Sequence, residues 1–275
     1  MIAFAHRRRA SPSALDPDTA VFLLAAGIDR TILYHPGTAF QITGDAMAQA
    51  VDALTRGLKS AGLWTKTVAL WPMVGGYAAA HQRGLKPYAP GSNLQFGGTE
   101  THSPTGLGFG LSPSTNTSVS PVTLPRFAHA LFYYTRDATT DANLGGHGVM
   151  GSVASTASSM LLCVNRTNFT GYFANSDAAG VSVQYATPQT GAFMGLRVSE
   201  NYAAIIRNQT VEAISTVTDT GTLPSSAITI GRVQGATRTL SSCQTAAVLT
   251  NLSVAEALQF NALITQFNAA LGRAV

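Results

Sequence analysis

The chain has 275 residues, 45% of them apolar and only 11% charged, with a formal net charge of +4. An average globular protein has about 25% charged residues, so the surface is expected to be rich in hydroxyl and amide groups. The apolar content argues against disorder. Membrane insertion fails on length, because a spanning helix needs about 20 apolar residues and Gly27 and Asp29 stop the run Ala20 to Ala26.

Arg7, Arg8 and Arg9 form one basic run. It reads as a solvated arm, with contact to phosphate or an acidic partner as the alternative. Pro12, Asp16 and Pro17 follow it instead of an apolar core, so it is not expected to be a signal peptide.

Two helices are predicted next. Asp16 caps the first, Pro17 stands at its first position and Gly27 ends it. Val21, Phe22, Leu24 and Ala25 are its expected buried stripe. A loop with His35-Pro36-Gly37 follows. The second helix begins at Thr43 or Asp45, and Met47, Val51, Leu54 and Leu58 fall on one face. Asp52 and Arg56 are spaced for an i,i+4 pair, and Gly62 suits the left-handed C-terminal position.

Trp64 to Val74 reads as extended, with Pro72 placing it at a sheet edge or ending it early. From about residue 92 to 250 the elements are short and β-like. They are Phe127–Arg136, Val149–Val164, Gly171–Ala174, Val181–Ala186, Ala192–Val198, Ala203–Arg207, Val211–Val217, Ala227–Ile230 and Ala246–Leu249. Turn signals separate them, and a sandwich or barrel is the usual result. Arg207-Asn208-Gln209-Thr210 is a hairpin candidate with Asn208 in the left-handed region. Ser253 and Glu256 form a capping box for a last helix. Val254, Leu258, Leu263, Phe267 and Leu271 are its expected stripe, and Gly272 closes it. That helix needs a partner surface, either the protein's own sandwich or a neighbouring subunit.

The residues give little chemistry. Glycoside hydrolysis needs two facing carboxylates, and only Glu100, Glu200 and Glu212 lie near strands outside caps and turns. No nucleophile elbow or phosphate loop is present. The histidines His6, His35, His81, His102, His129 and His147 are scattered, without zinc-ligand spacing. Asp137 and Asp141 are a weak calcium candidate. Cys163 and Cys243 read as buried free thiols, with a single bridge as the alternative. Catalytic and metal residues are therefore called as none, cofactors as none, and a ligand site as unknown. In Phe132-Tyr133-Tyr134, alternation puts Phe132 and Tyr134 on one face and Tyr133 on the other. Core packing is the main reading, and an exposed Tyr stacking on a sugar is the other.

One pattern goes further. Ala61-Gly62-Leu63-Trp64-Thr65-Lys66 leads into Leu70-Trp71-Pro72-Met73-Val74-Gly75-Gly76; His81, Leu85 and Lys86 follow. Then come Leu94-Gln95-Phe96-Gly97-Gly98 and Thr101-His102-Ser103-Pro104-Thr105-Gly106, and the chain closes with Leu252-Ser253 and Phe267-Asn268-Ala269-Ala270-Leu271-Gly272-Arg273. This order resembles a family of tailed-bacteriophage virion proteins of tail fibre, receptor-binding or head fibre type. Its elements are GLW-K, YPFVGG, H-x-x-NLK, F-GG, THS-G and a terminal F-x-x-LGR helix. The resemblance spans about residues 16 to 273 and is strongest at 61–106 and 253–273. Met73 replaces the family's usual aromatic, and Gly84 replaces an Asn common before Leu-Lys.

The resemblance implies a mainly β fold, a concanavalin-like (laminin G-like) jelly-roll sandwich with N-terminal helices and a C-terminal amphipathic helix. Residues 1–62 would form an N-terminal arm and helical docking segment, and 63–275 the sandwich with its helix. It implies a structural, non-enzymatic role on the virion surface after synthesis in the bacterial cytoplasm. The expected partners are other virion proteins, copies of the chain itself (possibly a trimer) and host surface polysaccharide. Nucleic acid and membrane insertion are not among them. A decoration or connector protein without ligand is the alternative, and a glycan-degrading enzyme ranks below it.

Overall fold

A computed structural model describes residues 14–89, 93–109, 115–137, 148–155, 157–166, 170–174, 180–187, 189–231, 233 and 241–275. Helix α1 spans Pro17–Ala25, and its N-cap Asp16 accepts the Asp18 N–H at 3.0 Å. Its buried residues are Thr19, Phe22 and Leu23, whereas Val21 and Leu24 are 68% and 84% exposed. The expected stripe is thus corrected. Polar anchors rotate the helix: Thr19 donates its hydroxyl to that of Thr55 at 2.9 Å, and the Asp16 N–H donates to Asp52 Oδ1 at 2.6 Å.

Strands β1 (Leu33–Tyr34) and β2 (Ile42–Thr43) pair antiparallel around the His35-Pro36-Gly37 loop. Helix α2 (Gly44–Ser60) starts where expected, with Thr43 Oγ1 accepting the Ala46 N–H. Met47, Val51, Leu54 and Leu58 are all buried, each contributing about 1.5–3 kcal/mol. Arg56 pairs with Asp52 at 2.7 Å.

The remaining elements are β3 (Thr67–Trp71), α3 (Ala78–His81), β4 (Thr101–Ser103), β5 (Gly106–Gly108), β6 (Thr115–Asn116), β7 (His129–Thr135), β8 (Gly148–Ser155), β9 (Ser158–Arg166), β10 (Thr170–Ala174), β11 (Val181–Gln184), β12 (Gly191–Ser199), β13 (Tyr202–Arg207), β14 (Thr210–Ser215), β15 (Thr229–Ile230), β16 (Thr245–Thr250) and α4 (Val254–Ala270). Two six-stranded antiparallel sheets form the jelly-roll-type β-sandwich. One runs β14-β13-β12-β7-β16-β3 and the other β11-β10-β9-β8-β15-β6. Strand β3 lies at an edge, as Pro72 requires. Asn208 (φ 45°) and Gln209 (φ 70°) both adopt left-handed angles between β13 and β14, the pattern of a type I′ hairpin turn.

The first sheet is covered on both faces. Leu131 and Tyr133 of β7 join Trp71, Phe173, Phe193 and Val248 between the sheets. Ala130, Phe132 and Tyr134 point the other way, into a layer built by α1, α2 and α4. Phe132 meets Phe260 of α4 edge-on at 5.2 Å. Gly195 leaves room for Phe173 across the sandwich, since a Cβ there would lie 2.1 Å from its ring.

The capping box of α4 is present, and the helix packs on the protein's own sheet and on α2. Its stripe needs correction. Ala257, Phe260, Asn261, Ile264, Phe267 and Asn268 are buried, while Val254, Leu258 and Leu263 flank them. Two amides can sit inside because each has an acceptor. Asn261 Nδ2 donates to the Ala257 carbonyl at 3.1 Å, and Asn268 Nδ2 to the Ile264 carbonyl at 3.0 Å.

Candidate functional site

The segments that carry the resemblance lie far apart in sequence and meet at one end of the sandwich. Strand β3 stops at Trp71 because Pro72 cannot extend the ladder. The chain then turns sharply, with Met73 (φ 45°), Gly75 (φ 85°) and Gly76 (φ 74°) all left-handed. A side chain at Gly76 would also place its Cβ 2.5 Å from His35 Cε1 and 3.0 Å from the Pro104 backbone nitrogen. Only glycine fits that position without displacing its neighbours.

Arg273, from the tail beyond α4, locks this turn. It is 2% exposed. Its Nη1 donates to the Met73 carbonyl at 2.8 Å and its Nη2 to the Pro72 carbonyl at 3.0 Å. The guanidinium lies 5.6 Å from the Phe267 ring centre and forms no ion pair among the described residues. Burial pushes its pKa down to about 9, which still leaves it charged at neutral pH.

On the other side of the turn stand three imidazoles. His81, at the end of α3, is fully buried, and its Nδ1 lies 3.1 Å from Nδ1 of His102 on β4. Its Nε2 has no hydrogen-bond partner. Phe96 meets the His102 ring edge-on at 4.7 Å. His35 lines a cavity of about 20 Å³ with Val74, Gly75, Pro104, Leu271 and Arg273. Burial, then the fields of His102, Arg273 and His35, hold His81 down at about pH 3. Burial also lowers His35 and His102.

A second part of the junction fixes the entry to β3. The Lys86 ammonium donates to the Trp64 carbonyl, and Lys59 and Lys86 lie 5.2 and 5.4 Å from the Trp64 ring centre. Lys66 pairs with Glu256 of the α4 capping box at 2.6 Å. That lysine and the Ser253 N–H hold the Glu256 carboxyl down at about 2.

Chemically this is a clamp. Its imidazoles are neutral, the Arg273 guanidinium binds backbone, and among the described residues no carboxylate pairs with Arg273. Among the described residues no group of three or more His, Cys, Asp or Glu is placed to hold a metal ion. No described helix is long and apolar enough to cross a membrane.

The other candidates lie apart. Glu100 accepts from the Thr115 hydroxyl and the Gly98 N–H, and Glu212 pairs with Arg207 at 3.2 Å. Glu200 offers its carbonyl to Arg197 at 3.1 Å. Asp137 Oδ2 accepts the Ser242 N–H, while Asp141 lies outside the described residues, as do His6, His147 and Arg7 to Arg9. His129 is buried against Phe173. Cys163 and Cys243 are both buried thiols, not bridged to each other. The idea of an exposed sugar-stacking Tyr in the 132–134 cluster is corrected: Phe132, Tyr133 and Tyr134 are all fully buried, because both faces of their strand are covered. Sequence spacing also missed the histidine cluster, since His35, His81 and His102 are 46 and 21 residues apart. For His81 and His102 the usable signal was their place in the motifs, after Gly75-Gly76 and inside Thr101-His102-Ser103, whereas His35 lies outside them.

No protein-family model matches the chain, and no curated protein matches it. Solved structures similar to it include domain 4 of AbnA, a GH43 extracellular arabinanase from Geobacillus stearothermophilus, in complex with arabinotriose. The two share 10% identity at a TM-score of 0.47, over 72% of this chain and 98% of that one. A sialidase of Trypanosoma rangeli shares 14% identity at a TM-score of 0.47, over 82% of this chain and 40% of the sialidase. Botulinum neurotoxin type C, whose cell entry depends on two ganglioside molecules, shares 13% at a TM-score of 0.44, over 63% and 47%. The chain thus spans less than half of the sialidase and toxin chains. No residue role passes from these proteins to this one.

Proposed function

We propose that this chain is a non-enzymatic structural protein on the surface of a tailed phage or phage-like particle, with its sandwich turned outward toward host glycans. The observation that carries this reading is the convergence of the motif residues. Trp64, Lys66, Pro72–Gly76, His81, Lys86, Phe96, His102 and Arg273 build one fold-closing junction, not a cleft open to substrate. The resemblance is therefore carried by architecture, which suits a module used as a building block. Docking to the particle fits the helical layer, where Val21 and Leu24 expose apolar side chains on α1.

A decoration or connector protein without ligand is the second reading. The burial of Trp71, Tyr133 and Tyr134 favours it, because it takes these three aromatic faces away from a sugar ring. Immunogold labelling of intact particles, followed by a glycan array, tests both. Label at the tail tip or fibre with array binding supports the adhesive role. Label over the head with a blank array supports decoration. Absence of the chain from purified particles overturns both.

A further inference from the structure

We propose that the His81–His102 pair makes the junction an acid-sensitive latch, whose protonation frees the 72–76 turn from the C-terminal tail while the sandwich stays folded. The geometry places too little negative charge around it. His81 from α3, His102 from β4 and His35 from the β1–β2 loop surround a turn whose other side holds the buried Arg273. Tyr134, Arg136 and Cys243 complete the surroundings of Arg273. The acid acting on the cluster is Glu100, near His102, and its two oxygens already accept from Thr115 and Gly98.

A proton on either ring of the pair therefore adds a second cation beside an unpaired guanidinium. The neutral pair shares one hydrogen bond at 3.1 Å, and a proton added to it leaves two donors facing each other. The Met73 backbone beside His81 favours the charged ring, but burial and the fields of His102, Arg273 and His35 outweigh it. Opening relieves both problems, because water then solvates the imidazolium and the guanidinium. The elements that would move are short. Helix α3 has four residues, and residues 271–275 follow the end of α4.

The direction follows from linkage. His81 titrates near 3 when closed and near the ordinary 6.5 when open. The closed state is thus fully favoured above about pH 6.5 and loses ground as pH falls below it. At pH 5 the opening equilibrium should rise about 30-fold relative to pH 7.5. The inference is independent of where the protein resides, because the test uses the full chain in solution.

Amide hydrogen exchange, corrected for the intrinsic pH dependence of exchange, reads the opening. Residues 73–82 and 271–273 should lose protection about 30-fold between pH 7.5 and 5, while β12 and β13 hold theirs. His81→Gln should remove most of that response. If His81→Gln does not fold, His81→Asn decides, since it also removes the titrating ring and should likewise lose most of the response. A uniform loss of protection across both sheets, or an unchanged response in the variant that folds, overturns the latch.

Discussion

Replacing Arg273 tests whether the junction holds the fold together. Its two donor bonds, at 2.8 and 3.0 Å, are charge-assisted, and such bonds contribute about 1.5–3 kcal/mol each. Arg273→Ala removes both, strands the Pro72 and Met73 carbonyls, and leaves a void where one of the largest fully buried side chains stood. Relief from keeping a cation dry offsets part of the loss, because burial already depresses this guanidinium to about 9. The net expectation is a destabilisation of about 3 kcal/mol. At about 2–4 °C per kcal/mol for a chain of this size, Tm should fall by about 6–12 °C. Arg273→Lys keeps the charge but loses the fork, so about half the loss is expected. Arg273→Met keeps most of the volume, and its cost relative to alanine separates packing from hydrogen bonding. Urea denaturation at pH 7.5, followed by the fluorescence of Trp64 and Trp71, gives all three numbers. An alanine variant within about 0.5 kcal/mol of the parent, the range of an ordinary surface change, would refute the assignment of Arg273 as the lock.

Gly76→Ala combines a left-handed angle with a 2.5 Å approach to His35, so it should cost at least about 1–3 kcal/mol, read by thermal melting. Ser253→Ala removes the N-cap of α4 and should cost about 1 kcal/mol. The Glu256 carboxyl is held at about 2 against an ordinary 4.5, so its contribution is present above about pH 4.5 and fades as pH falls toward 2; circular dichroism of the parent and of Glu256→Gln should converge over that window. Val21→Lys with Leu24→Lys should leave urea stability within about 0.5 kcal/mol, because both side chains are already exposed, yet should abolish incorporation into particles. Normal incorporation of that double variant would remove the docking role of α1.

Much of the architecture was legible because local signals agreed with the global fold. The α2 face, the capping box of α4, the alternation in β11 and the left-handed Asn208 each depend on residues a few positions apart. The errors fall where a distant contact decides. Val21 and Leu24 read as core until Thr19 binds Thr55 and turns α1 away. Asn261 and Asn268 fall outside the apolar stripe that spacing picks out, yet both are buried with their amides bonded. Covering β7 on both faces erases the distinction between its inward and outward residues, so period alone cannot say which aromatic is exposed. The histidine cluster was invisible for the same reason, since only tertiary closure brings its three members to one turn.

That closure joins two distant stretches of the chain, 61–106 and 253–273. Strands β3 and β16 pair at one edge of the first sheet, joining the early and late parts of the chain. The bonds that seal the joint span the longest separations in the fold: 190 residues for Lys66 to Glu256, and 200 and 201 for Arg273 to Met73 and Pro72. A strand in the middle of the sandwich can exchange one apolar residue for another and keep its ladder, because volume and pattern largely suffice there. The joint has no such freedom. A left-handed glycine, a planar fork aimed at two carbonyls and a lysine reaching a capping glutamate each require one residue type at one position. The motif residues are therefore read best as the conditions for closing the chain on itself, and a functional surface has to be sought in the elements that the closure leaves facing outward.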